Sequence, residues 1–440
     1  MCPKRFKSIS VLAAAITLGL ASSAQAQSLQ ELYDAARAYD ATILAARALA
    51  QSAEYRVAKS DALLRPEVAL AANATATQTD LPRLGSGDTN TIGGAVNGKY
   101  PLFNRSKDAA VAKSRKSLEV NKADLDAAEQ ELIVRVAQTY FDVLAAQDTL
   151  STTQASKKAI TEQLASAKRN FEVGTATMTD TREAQARFDL ATAQEIAADN
   201  DLRAKRIALD QLVGRTAVAP KPLAIPVVLP PVLPANPEEW VTVADNQQPV
   251  VRRARTNVEL AALETTSARA ADAPTVDAVG SLGASRSSGS GASLTGISKT
   301  ASLGVQLNWP LYTGGSTQNG IKESVALEEK ARSDLEAARR RAAQETRVAY
   351  FGVLSGQAQV KAFEAAEASS KLALEATQLG YKVGVRVNLD VLNSQTQLFT
   401  TQRDLARARY DVLVGGLKLR QASGQLSPSD IDAVNRLLAK

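Results

Sequence analysis

The hydrophobic residues follow a seven-residue repeat over the longest stretch of the chain without proline or glycine. This stretch runs from residue 104 to residue 173. The spacing predicts a helix that packs as a left-handed coiled coil, with a length on the order of 100 Å at about 1.5 Å per residue. A second such stretch, residues 317 to 383, is expected to be interrupted by glycines. The heptad residues are Val111, Leu118, Leu125 and Leu132, and the expected interruptions are at Gly320, Gly352 and Gly356.

The repeat shortens to two residues between these helices. Within Lys299 to Leu311, the odd-numbered residues from Ala301 to Trp309 are apolar, and the even-numbered residues from Thr300 to Asn308 are polar or glycine. Such alternation predicts a strand with one apolar and one hydrated face. Thr91 to Leu102 has a similar pattern. The predicted partner strands are Pro66 to Ala76 and Pro274 to Ser285, and the predicted connecting loops are residues 84–88 and 285–291.

The first 26 residues have the pattern of a secretory leader. Three basic residues precede an apolar run of about a dozen residues, and residues 24–26 give the small-x-small pattern that signal peptidase recognises. Because a membrane-spanning helix requires about 20 apolar residues, cleavage is favoured over a retained anchor. The mature chain is expected to begin near Gln27. The basic residues are Lys4, Arg5 and Lys7.

The strand pattern is consistent with two environments. Soluble hairpins packed on a helical core would alternate in the same way. The leader favours a membrane, and a tilted membrane strand has about 9 to 11 residues in the apolar zone, close to the length of these runs. Tyr100 and Trp309 occupy equivalent ends, where an aromatic belt would lie. Four strands cannot close a barrel, so several chains must share one if these strands lie in lipid.

The chain is internally duplicated. YFDVLAAQ from Tyr140 aligns with YFGVLSGQ from Tyr350, and the same offset places Gly174 on Gly384. Each glycine follows a long predicted helix and is expected to turn the chain back. A proline-rich segment separates the halves and is expected to be an extended strap, because each proline removes a backbone donor.

The duplication gives the predicted organisation of the chain. Each half contains a helix, a β-hairpin, and a long helical hairpin. The predicted boundaries are a signal peptide at 1–26, a first repeat at 27–215 (β-hairpin 66–103, helical hairpin 104–215), a linker at 216–237, a second repeat at 238–425 (β-hairpin 274–312, helical hairpin 313–425) and a tail at 426–440.

Composition excludes most catalytic chemistry. The chain has no histidine, and its single cysteine, Cys2, lies in the predicted leader. A Ser-His-Asp triad, a metal-histidine site and a disulfide in the mature chain are thereby excluded. No G-x-x-x-x-G-K-[ST] loop occurs, and the carboxylates follow helical surfaces without a paired base or cofactor loop. An enzyme is the least favoured class, and no cofactor is expected.

Net charge does not indicate a nucleic-acid partner. The formal charge is +6, and the leader contributes three positive charges and no negative ones. The mature excess is therefore about +3, with Lys and Arg alternating with Asp and Glu along helical faces, as on solvated surfaces.

The duplicated order of elements, YPLFN from Tyr100, WPLYTGG from Trp309 and the two V-G-x5-D tips resemble the TolC family of outer-membrane channel-tunnels. The resemblance covers essentially the whole mature chain. It implies a mainly α fold with a membrane β part: a homotrimer with one twelve-stranded barrel in outer-membrane lipid, continued by a helical tunnel across the periplasm. It also implies docking to a periplasmic adaptor and an inner-membrane ABC or proton-driven transporter, for drug efflux or type I protein secretion.

The resemblance further implies a gate at the hairpin tips. The matching positions are Thr179 and Asp180 in the first half and Tyr381 and Arg386 in the second. Arg386 is expected to form a charge-assisted bond with Asp180, and Tyr381 to donate its phenol to the same carboxylate.

Two more positions match aspartate rings that constrict the family's pore and select cations. Asp390 matches the first ring, whereas the second position is Asn393. Three-fold symmetry then gives three carboxylates rather than six, which implies weaker cation selectivity. From the residues alone, other roles stay open. Asp180 and Asp390 could be helix caps, Arg386 an exposed turn residue, and Tyr381 ordinary packing.

Two other classes also use long helical hairpins. A periplasmic adaptor would carry a single hairpin flanked by β-rich modules, whereas this sequence predicts two hairpins and four strands. A soluble coiled-coil scaffold is the second alternative. Either would lack a large pore in the outer membrane.

Overall fold

The computed structural model describes residues 26–81, 85–290 and 295–439. The predicted leader lies outside these residues except for Ala26. The helices are α1 (Leu29–Tyr39), α2 (Ala41–Asp61), α3 (Arg105–Glu172), α4 (Met178–Val213), α5 (Pro237–Gln247), α6 (Pro249–Ala270), α7 (Ser316–Lys382), α8 (Asn388–Ala422) and α9 (Pro428–Asn435). The strands are β1 (Glu67–Leu81), β2 (Gly85–Phe103), β3 (Thr275–Ser288) and β4 (Gly296–Asn308).

The chain forms two compact units. The first contains the described residues up to Leu44, Ala128–Ala244 and the residues from Gln344 onward. The second contains Ala45–Ala127 and Asp245–Ala343, and therefore the whole sheet. Each unit takes segments from both sequence repeats.

The structure divides the first helix of each repeat, which the sequence predicts to run without a break from Leu29 to Leu64 and from Pro237 to Ala271. Asp40 ends α1 with an extended backbone. Its carboxylate accepts the N–H groups of Thr42 at 3.0 Å and Ile43 at 3.1 Å, which begin α2. The first N–H groups of a helix have no carbonyl partner within the helix, and the carboxylate takes the place of that partner. In the second repeat, Pro249 begins α6 and separates it from α5, because proline disfavours helical backbone in the residue before it.

The two long helices are uninterrupted. Helix α3 has 68 residues and α7 has 67, so the expected interruptions in α7 do not occur. Glycine weakens a helix by about 1 kcal/mol without necessarily breaking it. Gly356 has a packing role, because a Cβ atom there would lie 2.8 Å from Val412 Cγ2. The missing side chain lets α8 approach α7 closely.

The strands form one antiparallel sheet in the order β1-β2-β3-β4. The two hairpins of the two repeats are thus joined through β2 and β3. Glycine and small polar residues continue the ladder beyond the predicted strand ends, so Ser86–Asp88 and Ser285–Ser288 are paired rather than looped. Strand β4 ends at Asn308, before Pro310, which has no N–H to donate.

The strap between the repeats is held in the first unit by equivalent tyrosines. Tyr140 donates its hydroxyl to the carbonyl of Lys221 at 2.8 Å. Tyr350 donates to the carbonyl of Ala235. Each tyrosine is buried, and buried carbonyl groups need such partners. The repeated YF motif therefore fixes both ends of the proline-rich segment.

The C-terminal residues pair with the same strap. Leu223 forms an antiparallel bridge with Leu438, and the N–H of Ala439 donates to the carbonyl of Pro222 at 2.8 Å. Gln27 pairs with Pro220 on the other side. The strap is thus an ordered part of the first unit, packed between both ends of the described chain.

Candidate functional site

Each helical hairpin turns at a glycine with left-handed backbone. Gly174 has φ of 78° and Gly384 has φ of 80°. The N–H of Gly174 donates to the carbonyl of Phe171 at 3.0 Å, and that of Gly384 to the carbonyl of Tyr381 at 3.1 Å. Glycine adopts this conformation without a Cβ clash. Because the two tips share one backbone geometry, their differences come from side chains.

At the first tip, Asp180 caps the helix that begins there. Its carboxylate accepts the backbone N–H of Thr177 at 2.9 Å and the hydroxyl of Thr177 at 2.7 Å. In return, the N–H of Asp180 donates to Thr177 Oγ1 at 3.2 Å. This reciprocal pair is a capping box. Within this chain, Asp180 is therefore engaged locally rather than with Arg386 or Tyr381, and the adjacent Thr179 is exposed.

The second tip has no such box, because Val387 occupies the position equivalent to Thr177. Val387 caps α8 without a side-chain bond. The carboxylate of Asp390 instead lies 3.6 Å from Arg386 Nη1, and both side chains are substantially exposed. An exposed ion pair of this kind contributes about 0 to 1 kcal/mol. Arg386 and Asp390 can therefore exchange partners at little cost.

The predicted gate tyrosine contacts the other hairpin. Tyr381 accepts a hydrogen bond at 3.0 Å from Asn170 Nδ2, at the end of α3. Its predicted partner was Asp180. Asn170 corresponds to Gly380 in the second repeat, where a Cβ atom would lie 2.8 Å from Arg386 Cγ. The bond therefore joins the two hairpins of one chain at their tips.

Asn393 also has a partner on the other hairpin. Its Oδ1 accepts a hydrogen bond from Arg187 Nη2 at 3.1 Å. Arginine can bind either an amide oxygen or a carboxylate. The position at which the family resemblance implies an acidic ring thus has a neutral residue beside a cation.

Three of these tip residues are not predicted by the sequence patterns: Asn170, Thr177 and Arg187. Each differs from its equivalent in the other repeat, which is Gly380, Val387 and Gln397 respectively. A comparison of the two halves for mismatches, rather than matches, could have identified them.

The sheet in the second unit has two chemically distinct faces. The register places Leu70, Val96, Leu282 and Ala301 on one face, in adjacent strands. Along β3, residues on this face are exposed from Leu282 to Ser288, while the alternate residues are half-buried. The opposite face is rich in serine, threonine and asparagine, and Ser281 hydrogen-bonds Ser302 there at 2.8 Å. The apolar face is therefore the one directed outward.

The two predicted interface aromatics lie at one end of this sheet. Tyr100 is 42% exposed and Trp309 is 57% exposed. Tyr100 shares the register parity of the apolar face, opposite Ala278 of β3. Trp309 directly follows β4. Among the described residues, no helix is both long and apolar enough to cross a membrane.

The sequence matches one family over most of its length. Residues 32–215 and 240–425 match the model for outer membrane efflux proteins. The chain belongs to this family. The two matched ranges correspond to the two repeats, so both halves of this chain resemble the same family model.

The curated relatives include outer-membrane and secretion proteins. The chain is 31% identical to outer membrane protein TolC of Vibrio cholerae over 419 residues, covering 94% of this chain and 95% of that protein. It is 34% identical to the alkaline protease secretion protein AprF of Pseudomonas aeruginosa over 313 residues, covering 69% of this chain and 64% of that protein. The TolC-family resemblance is therefore confirmed.

Solved structures share the fold. The outer membrane protein VceC of Vibrio cholerae has a TM-score of 0.77 at 20% identity, covering 90% of this chain and 96% of that one. CusC has a TM-score of 0.78 at 19% identity, covering 91% and 92%. With the family match, these comparisons show an outer-membrane channel component of a transporter assembly, in a family of channels rather than enzymes.

Proposed function

We propose that three copies of this chain form one twelve-stranded barrel in the outer membrane. The observation that carries this proposal is the pair of unpaired edges. Strands β1 and β4, with 15 and 13 residues, end a four-stranded sheet whose apolar face is exposed. Long open edges in lipid leave backbone groups without partners, at several kcal/mol each. Pairing β4 of one copy with β1 of the next removes every edge.

The helical hairpins would continue the barrel as a periplasmic tunnel. Helices of 68 and 67 residues reach about 100 Å at about 1.5 Å per residue, enough for a long duct. The tunnel would dock to a periplasmic adaptor and an inner-membrane ABC or proton-driven transporter. Drugs or secreted proteins would then leave through a pore whose energy comes from that transporter. Both uses occur among the relatives, in AprF and in the efflux protein BepC.

The hairpin tips would form the gated entrance. Thr179 and Asp180 lie at one tip and Tyr381 and Arg386 at the other, so in a trimer the exposed Arg386 could reach the tip of a neighbouring copy. The weak Arg386–Asp390 pair suits such an exchange. Each repeat, 27–215 and 238–425, would contribute one hairpin to this entrance.

Fractionation and single-channel recording test the proposal. We expect the chain in the outer membrane, cross-linked trimers from cysteines placed on β1 and β4, and a large conductance in planar bilayers. An adaptor or a soluble scaffold would give no pore. Monomeric chains in the membrane fraction without conductance would contradict the trimeric barrel.

Replacing Asp390 with alanine should reduce cation selectivity. Loss of three symmetric carboxylates removes the negative charge expected at the constriction. We expect block by trivalent cations to weaken by about tenfold, equivalent to about 1.4 kcal/mol. The measurement is a planar-bilayer titration with reversal potentials. Unchanged block and selectivity would remove Asp390 from the constriction.

Replacing Asn393 with aspartate should increase cation selectivity only slightly. The new carboxylate would meet Arg187, which already donates to this position at 3.1 Å, and the pair would be nearly neutral. Combining Asn393→Asp with Arg187→Gln should release the carboxylate and produce the larger increase. Arg187→Gln alone is the matched control. Equal selectivity in the single and double variants would show that Arg187 does not screen this position.

A further inference from the structure

Two cations lie on the mainly apolar face of the sheet. The register pairs Arg286 with Ile297 and Lys299 with Ala284, so both share the face of Leu282. Both side chains are exposed. A charged side chain on a lipid-facing surface is costly at mid-membrane and nearly neutral at the interface. Their position along the strands is therefore informative.

The two cations are close enough to act together. Because Arg286 is opposite Ile297, Lys299 is its diagonal neighbour, at about 7 to 8 Å between backbones. Two long side chains at this spacing can converge on one anion. Among the described residues, neither forms an ion pair, whereas Lys99 on the polar face pairs with Asp277 at 2.9 Å. The apolar face thus presents unneutralised positive charge.

Nearby carboxylates lie farther along the strands. Asp88 is opposite Gln78, and Asp80 is opposite Ser86, both on the same face. Asp88 is four residues beyond Ile92, the residue opposite Arg286, which corresponds to about 13 Å. At that separation in water, most of the attraction is screened. The cations therefore face the apolar side without neutralisation from these groups.

The depth of the pair matches one boundary of the bilayer. Lys299 precedes Trp309 by ten residues. At about 3.3 Å per residue and a tilt of about 40°, the separation along the membrane normal is about 25 Å, the height of the apolar band of such barrels. If Trp309 marks one interface, Lys299 and Arg286 mark the other. The hairpin ends next to them then face the exterior.

We propose that Arg286 and Lys299 bind a phosphate monoester of the acylated glycolipid in the outer leaflet, lipid A. This inference rests on the proposed barrel. A phosphate monoester carries about 1.5 to 2 negative charges near neutral pH, which matches two cations, whereas a phospholipid diester carries one. The acyl chains would lie on the exposed Leu282 and Leu303, on the membrane side of the pair. Arg286 would supply a planar bidentate donor and Lys299 a point charge.

The test compares purified trimers of the wild type, Arg286→Gln/Lys299→Gln and the control Lys168→Gln/Arg206→Gln. The control removes the same charge from exposed helical positions. Each is titrated with bisphosphorylated lipid A, dephosphorylated lipid A, phosphatidylglycerol and inorganic phosphate, with bound ligand measured by native mass spectrometry. We expect the site variant alone to bind lipid A at least tenfold more weakly. We also expect wild-type trimers to prefer lipid A over the other three ligands.

Two outcomes would overturn the site. One is equal lipid A affinity in the site variant and the control. The other is equal wild-type affinity for dephosphorylated lipid A, phosphatidylglycerol or free phosphate, which would show that a phosphate monoester on an acylated lipid is not what is recognised. Conductance is recorded for every variant. Absence of wild-type pores would overturn the proposed barrel, whereas normal pores with unchanged lipid A binding would overturn only the lipid site.

Discussion

Arginine in place of Leu303 is expected to abolish assembly in the outer membrane. Leu303 is 90% exposed on the apolar face and lies between the two interface positions, Lys299 and Trp309. An arginine at the midplane of a barrel costs about 2 to 4 kcal/mol, so three copies would cost about 6 to 12 kcal/mol per trimer. This is comparable to the whole stability of many domains. The measurement is trimer content of the outer-membrane fraction together with bilayer conductance.

Gly304→Arg is the matched control for this prediction. Gly304 is the next residue, on the polar face, and a Cβ atom there would have no atom within 4 Å. The same charge added on the hydrated side should leave trimer assembly intact. If both variants assembled equally well, the apolar face would not contact lipid. If both failed, the strand itself, rather than the environment of its face, would be the cause.

The strands and long helices were predictable because their patterns extend over many residues. Seven-residue and two-residue repeats indicate directly which side chains share one face of a helix or strand. The break at Asp40 was not predictable in this way, since a single carboxylate that accepts two N–H groups redirects the chain without changing the hydrophobic pattern. Strand ends were also misplaced, because glycine and serine pair as well as loop when a neighbouring strand is available.

At the hairpin tips, the sequence identified some of the residues but not their contacts. Sequence equivalence identified Asp180 and Asp390 as a pair, but Thr177 binds one of them and Val387 leaves the other without a capping partner. The partners of Tyr381 and Asn393 lie more than 200 residues away in the chain. Such contacts depend on how the hairpins pack, which no local pattern specifies.

A partly buried carboxylate in the first unit gives the second large expected effect. Asp148 on α3 accepts a hydrogen bond from the hydroxyl of Tyr410 on α8 at 2.6 Å. The ring of Tyr410 stacks on Phe141, with 5.5 Å between ring centroids. Burial raises the pKa of Asp148, and the bond from Tyr410 opposes that increase. The tyrosine hydroxyl therefore stabilises the ionised form of this partly buried carboxylate.

Replacing Tyr410 with phenylalanine should destabilise the chain more at neutral pH than in acid. Loss of a hydrogen bond to a charged group costs about 1.5 to 3 kcal/mol, whereas a bond between neutral groups contributes about 0.5 to 1.5 kcal/mol. Because the pKa of Asp148 is raised in the folded chain, this group favours the folded state at pH values below its pKa in the unfolded chain, which is near 4. This contribution to stability is lost as pH rises through the pKa of Asp148 in the folded chain. The variant raises the folded pKa further. Its destabilisation should therefore grow as pH rises above about 4, which urea unfolding at pH 4 and pH 7.5 measures.

Asp148→Asn separates the charge from the hydrogen bond. An amide oxygen can still accept from Tyr410, but it does not ionise, so this variant should remove the contribution of this site to pH dependence. In the Asp148→Asn background, Tyr410→Phe should cost the same at both pH values, because the remaining bond is between neutral groups. A pH-dependent cost in that background would place the titrating group elsewhere. A pH-independent cost in the wild-type background would show that Asp148 is not ionised in the folded chain at neutral pH.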